Sequence, residues 1–304
     1  MDEKTCLDQR IDSGKPILLA EIAPPVTADA DAVRAAAKRY AGKVHALGVS
    51  DNRDKVRMSA MAAASVVAGS GVEPILHVVT RDRNRVALMS ECLGAQALGV
   101  RNVLCTTGAH QTLGLCRAAR NVFDVDSIQL LRMYGELGGN GSGAGGNGSG
   151  RRGSLCLGAA ASPFADPLDM QVIKLAKKVA AGARFVITDP VFDVDRFKTW
   201  WAALVRRDLH NRVAVIAGIL PLTDGEGAKA YAERPPRPMI PAAVLQRVCS
   251  PSDEKAQRAA GVQIAVETIR NLSGLAGLRG FEIRSDGDDE AVLEVIAQSG
   301  LRCD

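Results

Sequence analysis

Aromatic residues make up only 4% of the 304-residue chain, and no basic block is interleaved with them. Its 38 basic and 34 acidic residues leave a formal charge of +4 spread along the length. That pattern argues against DNA or RNA as a partner and leaves small anions open. No apolar stretch approaches the roughly 20 residues that cross a bilayer, and the start, Met1-Asp2-Glu3-Lys4-Thr5-Cys6, is polar. Neither membrane insertion nor export is expected, and a cytoplasmic location is. The cysteines Cys6, Cys92, Cys105, Cys116, Cys156, Cys249 and Cys303 are scattered, odd in number and without a Cys-x-x-Cys pair. A disulfide frame or zinc site is therefore not expected, and each thiol reads first as a small packing residue. No histidines and acids stand at metal-ligand spacing, and neither Gly-x-Ser-x-Gly nor a Cys-His signature occurs.

What is present is a repeated alternation. Apolar, β-rich runs lie at 17–23, 44–49, 74–79, 102–106, 155–160, 184–188, 213–219 and 280–284. Between them, segments at 31–40, 54–68, 85–98, 126–137, 167–181 and 195–207 are rich in helix formers, and the last connection holds at least two more helices, near 242–248 and 253–272. Strands buried on both faces read as continuous apolar runs, and eight strand-helix units are the number that closes a (β/α)8 TIM barrel. The expectation is an α/β chain whose residues 1–304 form one such barrel domain. A doubly wound open sheet is the runner-up, weakened because the first strand-to-helix turn, Ala23-Pro24-Pro25-Val26-Thr27, has no GxGxxG to receive a pyrophosphate. The Gly-rich stretch 138–150 cannot pack a core and reads as a flexible loop on the face opposite a barrel's active site.

One residue does not suit its surroundings. Glu21 sits in the run Ile17-Leu18-Leu19-Ala20-Glu21-Ile22-Ala23, where a carboxylate must find a partner, protonate or face a polar cavity, and no cation lies nearby in sequence. Barrel enzymes assemble their sites from the C-terminal ends of the strands. There the runs deliver Glu21, then Ser50-Asp51-Asn52, then His77 with Arg81 to Arg85, then Thr106-Thr107-Gly108-Ala109-His110, then Ala160-Ala161-Ser162, then Thr188-Asp189-Pro190, then Gly218-Ile219-Leu220-Pro221. Small and hydroxylated residues opposite two carboxylates suit a broad planar ligand. Each has a plainer reading beside it: His77 as a core histidine, the arginine run as a solvated loop, Gly108 as a turn residue.

The order Ala20-Glu21-Ile22-Ala23-Pro24-Pro25, then His77, then Thr106 to His110, then the block from Ala181 through Thr188-Asp189-Pro190 to Asp193, then Ala217-Gly218-Ile219-Leu220-Pro221, resembles the methylenetetrahydrofolate reductase family over nearly the whole chain. The run Arg81 to Arg85 and the block Val122-Phe123-Asp124-Val125-Asp126-Ser127 are similar to bacterial members found beside one-carbon and corrinoid metabolism. The resemblance implies a barrel that holds FAD at the strand ends and reduces a folate stacked on the flavin, with Glu21 as general acid and substrate contact. It further implies Ser50, His77, Thr107, Gly108, Ala109, Ala160 and Lys178 as the FAD-binding residues, Lys178 serving the phosphates. For its task the Glu21 pKa should be raised by the apolar strand. The electron donor it implies is NAD(P)H or an iron-sulfur protein, and homo-oligomer and hetero-complex both stay open.

Two positions depart from the family pattern. Ala109 stands where an aspartate is usual, and Asp189 where a glutamine is usual. A pterin offers adjacent N–H donors that one carboxylate can accept together, so Asp189 is expected to bind substrate in place of what Ala109 lost. The loop at 114–117 also differs from the sequence usual in close relatives. These changes keep an alternative open, a folate- or flavin-binding subunit of a methyl-transfer complex with reduced catalysis; a third reading is a related barrel oxidoreductase acting on another amine or imine. From the loop placement, deletion of most of 138–150 is expected to leave turnover within about twofold of the parent chain, against the 10²-fold losses that misplaced catalytic groups cause. A steady-state assay of the deletion variant checks it.

Overall fold

The computed structural model describes residues 5–53, 55–113, 116, 118–138, 155–234 and 238–303. Eight parallel strands close into a barrel in sequence order, β1 (Ile17–Ile22), β2 (Ala46–Val49), β3 (Pro74–Val79), β4 (Asn102–Thr106), β5 (Cys156–Ala161), β6 (Phe185–Pro190), β7 (Ala214–Ile219) and β8 (Leu278–Arg284). All eight fall on the apolar runs. Helices α1 (Cys6–Ser13), α2 (Ala30–Tyr40), α3 (Ala60–Gly69), α4 (Arg85–Ala97), α5 (Ser127–Leu137), α6 (Leu168–Ala180), α7 (Val194–Arg206), α8 (Gly225–Ala232), α9 (Ala242–Cys249), α10 (Glu254–Ser273) and α11 (Asp289–Ser299) accompany them. The Gly-rich stretch at 139–150 lies outside the described residues.

Short polar residues start many of the helices. Asp29, Asn84, Asp193, Asp224, Asp253 and Asp288 each accept a hydrogen bond from a backbone N–H of the first turn, and Asp126 forms a capping box with Gln129. Helix α3 begins later than the expected 54. Asn52, at φ 39°, turns the chain, its side chain accepts from the Arg57 N–H at 2.9 Å, and the Met58 N–H reaches back to the Pro25 carbonyl at 2.8 Å. Those tertiary ties keep the segment out of a helix that its composition would support.

The period-two alternation of the strands sorts the core into two shells. Outward residues such as Leu18, Leu47, Val103 and Val186 pack under the helices, while Ile17, Leu19, Ala46, Ile75, Leu104, Phe185 and Ile216 fill the lower barrel. Leu7 of α1 joins this inner cluster and plugs its N-terminal end, held by Glu73 through the backbone N–H groups of Cys6 and Leu7 and by Arg184 through Asp8 and Asp12. Closure depends on one glycine. Gly280 pairs with Ile17 beside an irregularity in the β7–β8 register, has φ 146°, and a Cβ there would overlap the Ile17 carbonyl. Gly280→Ala is expected to lower folding stability by about 1–3 kcal/mol, as other overpacking changes do, seen as an earlier urea midpoint with unchanged slope.

Candidate active site

One layer above the apolar filling, the barrel interior turns polar. Glu21 of β1 is 2% exposed, His77 of β3 is 7% exposed, and Glu282 of β8 is fully buried. A ligand-capable atom of each lies within 4.8 Å of the others, so three strands far apart in sequence meet at the centre of the barrel. The cations that the local sequence did not offer to Glu21 come from a distance. Arg53, on the loop after β2, places Nη1 3.0 Å from Glu21 Oε1, and Arg284 of β8 places Nε 3.5 Å from Oε2. Arg284 is in register with Glu21, and the same Nε donates to Glu282 Oε2 at 2.9 Å. Its Nη2 donates to the Thr188 carbonyl at 3.0 Å, fixing the guanidinium between β6 and β1.

These contacts reverse one expectation. Burial by itself pushes the Glu21 carboxyl up, but Arg53, Arg284 and His77 together hold it below the ordinary carboxylate range. The raised carboxyl is instead Glu282, pushed up to about 7 by burial first and by the neighbouring Glu21, against the pull of Arg284 and Arg53. Its Oε1 has no hydrogen-bond partner among the described residues, and neither does His77 Nε2. Burial, with Arg284 and Arg53 adding to it and Glu21 opposing, pushes His77 down to about 4, so its ring is neutral at pH 7. Gly48, level with Glu21 on β2, leaves room for that ring; a Cβ there would stand 3.1 Å from His77 Nε2. Although no metal spacing is visible in the sequence, Glu21, His77 and Glu282 form a set able to ligate a cation. Arg53 and Arg284 already occupy its two carboxylates, so an entering cation would meet two guanidiniums.

The residues expected around a flavin separate into groups. Thr107, Ala160 and Lys178 line one cavity of about 270 Å³ with Lys174, Gln171, Asp126 and Ser127. Lys178 Nζ donates to the Ala160 carbonyl at 2.6 Å, and burial lowers its pKa. Thr107 Oγ1 accepts from the Ser127 N–H at 3.1 Å, at the start of α5. Ser50 is buried with its hydroxyl toward the Ile22 carbonyl, 3.3 Å away. Gly108, at φ 83°, is required by its turn, since a Cβ would press on Val79 at 2.5 Å. Ala109 contributes its carbonyl to Arg81. Asp189 is partly exposed on an irregularity of β6, where pairing with β7 shifts between Ile187 and Pro190, and its charge is felt by Lys178, Arg284 and Tyr231.

The arginine run after β3 is not a solvated loop. Arg81 is nearly buried, holds Asp82 with two nitrogens and donates to the carbonyls of Ala109 and Asn52. Arg83 bridges Asp51 at 2.6 Å and Glu91 at 2.9 Å, and Asn84 caps α4. The loops at the barrel mouth are thereby tied to one another. Sequence reading missed Arg53, Glu282 and Arg284. For the β8 pair a signal existed: in Phe281-Glu282-Ile283-Arg284 both charged residues fall on the inward positions of an otherwise apolar run.

The Methylenetetrahydrofolate reductase family profile matches residues 6–300. A protein from Caenorhabditis elegans described as a probable methylenetetrahydrofolate reductase (NADPH) is 25% identical over 258 residues, which cover 82% of this chain and 36% of that protein; the chain thus spans about a third of its length. Among solved structures, an uncharacterized protein from Clostridium thermocellum that binds two copies of 5-methyl-5,6,7,8-tetrahydrofolic acid superposes with a TM-score of 0.71 at 12% identity, covering 96% of this chain and 97% of that one. A 2,3-dimethylmalate lyase gives 0.52 at 15% identity, over 99% and 87%. At such identities the two structures speak for the barrel alone. With a profile match over nearly its full length, the chain belongs to the methylenetetrahydrofolate reductase family.

Proposed function

We propose that the chain reduces 5,10-methylenetetrahydrofolate to 5-methyltetrahydrofolate with FAD as its bound cofactor, in the cytoplasm, with NAD(P)H or an iron-sulfur protein as electron donor. The observation that carries this reading is a buried carboxylate, Glu21, at the C-terminal end of β1 in a chain that the family matches almost end to end. The folate-binding neighbour of the same barrel shape is consistent with it. The cavity beside Lys178 fits the anionic part of the cofactor. Lys174 and Lys178 line it together with Ser127, the first residue of α5, where a helix start favours negative charge. When bound, the flavin supplies hydride.

The chain's own residues must manage a proton and a developing cation. The methylene bridge between N5 and N10 opens when N10 gains a proton, leaving an iminium at N5 that accepts hydride. Glu21 is assigned to that proton at N10. Its carboxylate form, stabilised by Arg53 and Arg284, then stands beside the cation that ring opening creates. Neutral His77 adds no positive charge to oppose it. Asp189, on the β6 irregularity, is assigned to the pterin: an ionised carboxylate accepts both the 2-amino group and the adjacent ring N–H. A second reading, a folate-binding protein without turnover, is favoured by the same two arginines, which hold Glu21 as the charged base rather than the acid.

A yellow purified protein whose reduced form is reoxidised by methylenetetrahydrofolate is the expected result; a colourless protein that still binds folate would favour the second reading. Glu21→Gln is expected to retain FAD and lose folate reduction by about 10³-fold or more in single turnover, within the range for a general acid. Asp189→Asn is expected to weaken folate binding about 10-fold, measured by quenching of flavin fluorescence or by calorimetry, because one charge-assisted pair is lost. Unchanged affinity would remove Asp189 from pterin recognition.

A further inference from the structure

Glu282 lies outside every role assigned so far, yet the site is built around it. It is fully buried, it shares Arg284 with Glu21, its second oxygen is unpartnered among the described residues, and one of its carboxylate oxygens lies within 4.8 Å of a ligand-capable atom of Glu21 and of His77. An ionised carboxylate in that place would leave a bare charged oxygen in the barrel centre beside a second carboxylate, whereas a carboxylic acid has a proton to direct at its neighbours. Two carboxyl groups this close, facing a common guanidinium, hold their protons as a pair.

We propose that Glu282 and Glu21 form a dyad that shares one proton at neutral pH, with Glu282 as the positioning residue that keeps this proton and resupplies Glu21 when it protonates the substrate. The inference rests on the folate-reducing reading only for the last clause. The charged and titratable groups that face the pair are Arg284 on its own strand, Arg53 from the loop after β2, neutral His77 on β3, and, acting on the two arginines, Asp189 on β6, Tyr231 on α8 and Asp286, which stands 3.6 Å from Arg53. With one proton aboard, two guanidiniums and one carboxylate give the cluster a net charge of +1. When the proton leaves, the count falls to zero at the moment the substrate gains a positive charge.

The step balances. An O–H bond of the dyad breaks and its electron pair stays on the carboxylate; the proton forms the N10–H bond. The C–N10 bond breaks with its pair going to N10, and the N5 lone pair completes the iminium that hydride later reduces. Depressed Glu21 is a strong acid whenever it holds the proton, and raised Glu282 keeps a proton available near neutrality. Neither carboxyl alone combines the two properties.

The test is infrared difference spectroscopy on the full chain without substrate, comparing the protonated-carboxyl C=O band at pH 6 and pH 9. A buried-acid band present at pH 6 and gone at pH 9 is expected, absent from Glu282→Gln. It is also expected to be weaker at pH 6 in Glu21→Gln, because burial still acts on the remaining carboxyl but Arg284 and Arg53 then pull on it with no rival charge against them. A band that survives in Glu282→Gln places the proton elsewhere and overturns the proposal. A band unchanged in Glu21→Gln means that Glu282 is protonated by burial alone and does not share, which overturns it too. Single-turnover oxidation of the reduced holoenzyme by folate supplies the kinetic arm: Glu282→Gln should lower the rate about 100-fold with folate affinity kept and remove the fall in rate between pH 6 and pH 8. If no folate is reduced at all, the reductase reading fails while the spectra still decide on the dyad; if reduction proceeds with an unaltered pH profile in Glu282→Gln, the dyad fails and the reductase reading stands.

Discussion

The pairing of β8 with β1 brings Arg284 level with Glu21, and the charge arrangement of the barrel centre follows from that one contact. A guanidinium between two carboxylates makes their environments unequal. Glu21, which also meets Arg53, is held as the anion, and Glu282, more deeply enclosed, is held toward the acid. Without Arg284 both carboxylates would stand in a low-dielectric interior with Arg53 as the one close cation among the described residues, and burial would drive them toward neutrality. The close approach of β8 to β1 depends in turn on Gly280, so a backbone requirement at the base of the last strand is linked to the ionisation of residues two turns of the pleat above it.

The strand framework was legible because parallel barrel strands are buried on both faces and leave continuous apolar runs; β1, β3, β4 and β7 match the expected runs to within a residue or two at each end. Most helix starts lie within a residue of those expected from the segments rich in helix formers. What failed was whatever depended on long-range contact. Arg53 and Arg284 lie 32 and 263 positions from Glu21, and no local pattern announces that they converge on it. The expected rise in the Glu21 pKa came from the strand around it alone, and the opposite sign comes from those two partners. The start of α3 failed for the same reason, since a carbonyl of the loop after β1 and the side chain of Asn52 compete for its backbone.

The positions of the candidate site residues were legible unevenly. Thr107, Ala160 and Lys178 were expected together and do line one cavity, because each sits at a strand or helix end that the barrel topology brings to the same rim. Ser50, Gly108 and Ala109 serve first the loops and strand ends that carry them: a hydroxyl directed at a neighbouring carbonyl, a left-handed turn, and an acceptor for Arg81. Glu282 carries the same signal that singled out Glu21, an acid inside an apolar strand run, and differs in having an arginine two residues on. That neighbour makes the acid look paired in the sequence, while in the barrel one of its oxygens has no partner among the described residues.

The plug at the bottom of the barrel bears on the order of assembly. Helix α1 precedes its anchors Glu73 and Arg184 in the chain, so the contacts with Arg184 cannot form until the first five strands have been synthesised. Strand β1 waits longer still for β8. This segment is therefore locked late relative to the strands that follow it, and its apolar residues must remain unburied, or be shielded by another protein, until β8 has been made.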